Sequence, residues 1–290
     1  MSKSPLQFRS VGHAAALACS LEAAAPKVGN VHRGADFADL SFYDFLLSAQ
    51  ILGDVVDRCA FASLGELVRE IVVATRSQLR SNSNLGIALL FAPIVKAHSE
   101  GALSSCAVLD VIESSTPRDC QLIYEAIRVA QPGGLGASPE HDVRHAVPPE
   151  HILIAMLAAR ERDLIARQYC SGLADIFDFA VPALVADAAS FGSLIRGIIS
   201  THLRLIARLG DSLVERKCGR DVALQLQTRA AALVETLETE GWTEGDSLLG
   251  DFDFWLRSDS NRRNPGATAD LIAATLLIGI LSGQLSWDLN

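Results

Sequence analysis

Positive charge is scarce in this chain. Its 25 Lys and Arg residues stand against 34 Asp and Glu, a formal net charge of −9. A general nucleic-acid binder carries a basic face instead, so no nucleic-acid partner is expected. A small anionic ligand stays open, because the few side chains lining a pocket set its sign. Long apolar runs are also missing. The most apolar stretch, Leu271 to Leu281, is shorter than the roughly 20 residues a spanning helix needs. Met1 to Pro5 leads into no apolar run of the signal-peptide kind. These absences predict a cytoplasmic protein with no membrane partner. The 6 cysteines include no C-x-x-C pair, which fits small buried side chains in a reducing compartment. No Gly-Lys-Ser/Thr signature follows a strand, so a phosphate-binding loop of that type is excluded.

Aromatic residues make up only 6%, apolar residues 49%. That balance favours close-packed helices rich in Ala and Leu. Alternating strand patterns are absent, and helical spacing dominates. It predicts helices over Val11–Ala25, Ser41–Cys59, from Ser63, and over Thr116–Ala130. Ser41 with Asp44 reads as a capping pair. Thr116-Pro117-Arg118-Asp119 is a helix start with a hydroxyl cap, proline at the first position and an acid in the first turn. Gln131 to Pro149 reads as a long surface loop. Its histidines at 141 and 145 have no identifiable third ligand for zinc. Helices are then predicted over Pro149–Ser171, Ala174–Ala189, Phe191–Arg216, Arg220–Gly241, Leu248–Leu256 and Gly266–Leu281. The fold class is all-α: a single-domain multi-helix bundle over residues 1–290.

Three segments carry more polar function than turns require. Pro26 to Asp36 places Lys27, Asn30, His32, Arg33 and Asp36 around Gly29 and Gly34. Joining two helices needs only Gly, Pro or Asn. Lys27, His32 and Arg33 suit phosphate, and Asp36 suits a metal ion or a proton. A solvated interhelical turn is the plainer reading. Arg80 to Gly86 offers Asn82 and Asn84 ahead of an apolar helix. Asn there can cap the helix, or can donate to and accept from a ribose or base. Arg262 to Asp270 opens the last helix with Arg263, Gly266 and Thr268, a set fit to cradle phosphate. Asp270 is the sole charge on that helix. It either faces solvent and favours the helix dipole, or it is buried and needs a partner.

Together these segments resemble the triphosphoribosyl-dephospho-CoA synthase family. Pro26-Lys27-Val28-Gly29 is similar to its Pro-Lys-Pro-Gly motif, and Ser81-Asn82-Ser83-Asn84-Leu85-Gly86 to its Asn-Thr-x-x-Gly motif. Asn264-Pro265-Gly266-Ala267-Thr268-Ala269-Asp270-Leu271 is similar to its Ser-Pro-Gly-Gly-Ser-Ala-Asp-Leu-Leu motif. The order is the family's own. Val28, Ala267 and the Asn30-Val31-His32-Arg33 run depart from the pattern and mark a divergent branch. The resemblance implies an enzyme that moves the triphosphoribosyl group of ATP to the 2′-hydroxyl of dephospho-CoA and releases adenine. It implies ATP as substrate with Mg²⁺, and Lys27, Gly29, Asn30, His32, Arg33, Asn82, Asn84, Arg263, Gly266 and Thr268 as ligand-binding residues. Asp36 and Asp270 are the implied magnesium ligands or catalytic base. A phosphorylated cofactor precursor is the second partner, and a homodimer is possible. Two other readings stand beside this one. One is a related nucleotide-dependent transferase acting on another cofactor precursor, such as one of methanopterin-linked one-carbon metabolism. The other is a non-enzymatic helical interaction protein.

Overall fold

The computed structural model describes residues 7–59, 61–79, 84–133, 141–144 and 147–286. Among these residues there are fourteen α-helices, one π-turn and no strand. The first helices are α1 (Val11–Ala24), α2 (Phe42–Arg58), α3 (Leu64–Gln78), α4 (Leu85–Ser99), α5 (Ser105–Glu113) and α6 (Pro117–Ala130). Next come α7 (Ile152–Ala159), α8 (Leu164–Cys170), the π-turn Asp175–Ala180 and α9 (Val181–Phe191). The chain closes with α10 (Leu194–Leu209), α11 (Ser212–Cys218), α12 (Arg220–Thr239), α13 (Trp242–Arg257) and α14 (Gly266–Leu281). No single helix among the described residues is long and apolar enough to cross a membrane.

The predicted caps form. Ser41 and Asp44 close a reciprocal capping box on α2, as Thr116 and Asp119 do on α6 behind Pro117. Asp119 also accepts from the Gly65 N–H at 2.8 Å, tying α6 to the start of α3. Two predicted helices break. Pro149–Ser171 divides into α7 and α8, because Asp163 caps a new start by accepting from Ile165 and Ala166. Phe191–Arg216 divides into α10 and α11, because Gly210 takes φ +69° and Asp211 caps Leu213 and Val214. Apolar spacing continues across both breaks and hides them. α5 was not anticipated; it is a nine-residue helix, short enough for its period to be faint. Only Cys19 and Cys120 are buried, whereas Cys106 is exposed.

Two apolar clusters organise the molecule. The larger is centred on α4 and α14, helices apolar on nearly every side and buried along most of their length. The smaller joins α10, α12 and α13 with Val28 from the loop after α1. That loop therefore runs along the seam between the clusters. α1 and α2 approach with no room for side chains: a Cβ on Gly12 would lie 2.1 Å from the Gly53 carbonyl oxygen.

Candidate active site

Parts of the three polar segments come together where α4 and α14 begin, the second through Asn84, Leu85 and Gly86. Asn30, Asn84, Gly86, Asn264, Gly266 and Asp270 line one recess of about 150 Å³, with Glu22 from the end of α1. The first segment is held there by α13. Gly29 takes φ +71° and donates its N–H to Asp253 Oδ1 at 2.7 Å. A side chain at Gly29 would press on Leu256 and Pro265 at 2.9–3.0 Å. Arg257, ion-paired to Asp253 at 2.7 Å, donates to the Asn30 carbonyl at 2.5 Å. Asn264 Nδ2 donates to the Gly29 carbonyl at 3.1 Å, so the first and third segments are joined directly.

Asp270 lies one turn into α14 and faces the recess. Its carboxylate rests on Gly86: a Cβ there would lie 2.0 Å from Asp270 Oδ2. The glycine of the second segment is thus needed to seat the acid of the third. Among the described residues no donor and no cation pairs with this carboxylate. Burial pushes its pKa well above the carboxylate range. The negative charges of Glu22, Asp211 and Asp163 add to the rise, and Arg216 offsets part of it.

Behind the recess lies a buried polar scaffold. Asp211 caps α11 with one oxygen. With the other it accepts from Thr268 N at 2.8 Å and meets Thr268 Oγ1 at 2.9 Å. It thereby supplies a free N–H in the first turn of α14 with an acceptor. Once the hydroxyl donates to Asp211, His202 Nε2 donates to Thr268 Oγ1 at 3.1 Å. His202 Nδ1 then has no partner. Burial, helped by the Lys27 charge, drives the His202 pKa down to about 3. Lys27 is fully buried and pairs with Glu22 at 2.8 Å. Its ammonium also donates to the Glu22 carbonyl. Removing one partner of such a buried pair costs about 3–5 kcal/mol.

The residues anticipated from sequence therefore divide. Asn30, Asn84, Gly266 and Asp270 line the recess. Asn84 Nδ2 donates to Thr75 Oγ1 at 2.9 Å, which leaves its amide oxygen as an acceptor. Lys27, Gly29 and Thr268 lie behind the recess as support. His32 lies outside it, its ring accepting from Gly34 N at 3.2 Å. Burial and the nearby Arg257 charge lower its pKa, so the ring is neutral at neutral pH. Arg33 is exposed. Asp36 is exposed and accepts from Phe42 N at 2.7 Å, which caps α2. Arg263 lies over the Trp255 ring at 4.8 Å and donates to the Trp255 carbonyl at 2.8 Å. Asn82 falls outside the described residues. Glu22, Gly86 and Asn264 were not singled out from sequence as site residues. The signal for Gly86 was its place in the second motif, and for Asn264 its place in the third.

The recess opens into a larger cleft of about 1060 Å³, which shares Asp270, Gly86 and Asn264 with it. α6, α7 and α8 give the cleft an apolar wall that includes Ile127, Ile152, Met156 and Ile165. Arg76, Arg162, Arg216, Lys217 and Arg262 also line it. Asp39, Asp142, Asp163 and Asp270 line it too, so cations and carboxylates are interleaved along the cleft.

The all-helical bundle thus combines a carboxylate-and-amide recess with a larger cleft of mixed charge and one apolar wall. The chain belongs to the CitG family, ATP:dephospho-CoA triphosphoribosyl transferase, which matches residues 8–288. It is accordingly a transferase of cofactor biosynthesis. No curated protein matches the chain. Its fold is similar to that of a crystal structure from Archaeoglobus fulgidus, of a protein assigned as a triphosphoribosyl-dephospho-CoA synthase. That match has a TM-score of 0.62 at 22% identity, over 83% of this chain and 100% of the other.

Proposed function

We propose that the recess is where the triphosphoribosyl group of ATP passes to the 2′-hydroxyl of dephospho-CoA, and that Asp270 accepts the hydroxyl proton. The observation that carries this is the Asp270 carboxylate, unpartnered among the described residues and seated on Gly86 where recess and cleft meet. The acceptor 2′-oxygen bonds to C1′ of the donor ribose. The bond from C1′ to the purine nitrogen breaks, and adenine leaves with the electron pair. The proton given up by the hydroxyl balances the one adenine takes. Glycosyl transfer of this kind passes through an oxocarbenium-like state. A base works best when its pKa lies near the working pH, and the surroundings of Asp270 move it in that direction. A cavity of about 150 Å³ accommodates one ring-sized group, such as a sugar. Asn30, Asn84 and Asn264 surround that space with amides, which donate and accept.

The donor set fits Mg²⁺. Glu22 and Asp270 line the recess, and the buried amide oxygen of Asn30 has no hydrogen-bond partner. No group of three His, Cys, Asp or Glu suited to a metal occurs among the described residues. Mg²⁺ needs no such group, since one or two carboxylates with substrate phosphates suffice. Glu22 and Asn30 would hold the ion, and bound there it would supply positive charge against the triphosphate.

The test is Asp270→Asn, a nearly isosteric change. Adenine release should fall about 10²-fold or more, with ATP affinity and melting temperature retained. Adenine release at the wild-type rate would remove Asp270 from the chemistry.

A further inference from the structure

The recess is too small for two substrates, so the acceptor has to reach Asp270 through the cleft. Dephospho-CoA carries a diphosphate flanked by a long, uncharged, partly apolar arm. The cleft holds a matching pair of surfaces. One is the apolar wall of Ile127, Ile152, Met156 and Ile165. The other carries Arg216, Lys217 and Arg262 from the end of α11 and the turn before α14, with Asp39, Asp142 and Asp163 also on the cleft lining.

Within that second surface the cations differ. Arg216 is committed to Asp163 at 2.6 Å. Arg262 donates to the Lys217 carbonyl at 2.7 Å and so fixes that stretch of backbone. Lys217 is half-buried, and among the described residues its ammonium has neither an ion pair nor a hydrogen bond. Its stem extends toward the end of α6, where a Cβ on Gly133 would lie 3.8 Å from Lys217 Cε. Gly133 lines the cleft together with Lys217, Ile127 and Ala130 of the apolar wall. Burial lowers its pKa, as expected of a cation that has lost water and gained no partner. A compact ammonium on a flexible stem suits a phosphate as a point charge.

We infer that Lys217 is the anchor for the diphosphate of dephospho-CoA, with the acceptor's apolar arm lying along the α6–α8 wall. This rests on the assignment of the acceptor made above. ATP carries phosphates too but has no such arm, and the experiment separates the two sources.

The test is Lys217→Met in the full chain, with steady-state kinetics run separately against dephospho-CoA and ATP. The KM for dephospho-CoA should rise by about tenfold or more, and its dependence on salt should weaken. The KM for ATP and kcat should stay within about twofold, since neither depends on this contact. Lys217→Arg should recover part of the loss, because charge is kept. An unchanged KM for dephospho-CoA overturns the assignment, and so does a rise confined to ATP. A wild-type protein that does not turn over dephospho-CoA would bring down the underlying reading. Equilibrium binding of dephospho-CoA to the wild type and to Lys217→Met would then decide the Lys217 contact alone. Equal affinities, or no binding by either, count against it.

Discussion

The recess and the cleft share Asp270, Gly86 and Asn264, yet they are built on different principles. The recess is made of backbone geometry. Two helices begin at one point, glycines let them approach, and amides and carboxylates from three short segments fill what remains. The cleft is made of side chains scattered over long helices, with Arg76 on α3, Ile127 on α6, Met156 on α7 and Lys217 on α11. A site built from helix starts tolerates little change, because a misplaced Cβ has nowhere to go. A wall of side chains can adjust to different partners. The proposed reading uses this difference: chemistry in the recess, recognition of the bulkier substrate in the cleft.

This division also explains what could be read from the sequence. Helix starts follow local rules, so the capping boxes at Ser41–Asp44 and Thr116–Asp119 were legible. So were the three segments that meet at the recess. The direction in which a loop side chain points is a tertiary matter. Lys27 and Thr268 looked like phosphate ligands, but packing between two apolar clusters turns both inward. Nothing near Lys27 in sequence indicates that its ammonium pairs with Glu22 rather than with a bound phosphate. Asp36 proves to cap α2 from six residues away, a distance that ordinary capping patterns do not span. The contact between Gly86 and Asp270 joins residues far apart in the chain. The cleft has no sequence signature, because its lining residues share no spacing.

The comparison can be broken first at Gly86. Gly86→Ala forces the Asp270 carboxylate to move, since the added carbon would lie 2.0 Å from its oxygen. A misplacement of about 1 Å can cost up to about 10²-fold in rate, so kcat should fall by at least about tenfold. The KM for dephospho-CoA, set in the cleft, should stay within about twofold. Steady-state kinetics check both values. Wild-type kcat in Gly86→Ala would mean that the fit of glycine to carboxylate is incidental.

A smaller effect sharpens the role of the scaffold. His202 is neutral in the folded protein because its pKa is lowered to about 3, whereas in the unfolded chain it titrates near 6.5. The unfolded state therefore binds the proton first as pH falls. This contribution to stability is complete above about pH 6.5 and is lost progressively below it. Between pH 8 and pH 5 the loss should be about 2 kcal/mol. Denaturant unfolding at the two pH values should show it in the wild type and not in His202→Gln. Equal pH dependence in both proteins would mean that the imidazole is not held neutral.

The most direct measurement is a crystal structure of the Asp270→Asn protein with ATP and dephospho-CoA bound, the substitution serving to hold both substrates unreacted. The expected result places the ATP ribose in the recess and the acceptor 2′-hydroxyl within about 3.2 Å of the residue 270 side chain. A 2′-hydroxyl held away from residue 270, or an ATP ribose bound outside the recess, would contradict the assignment of the chemistry to this site.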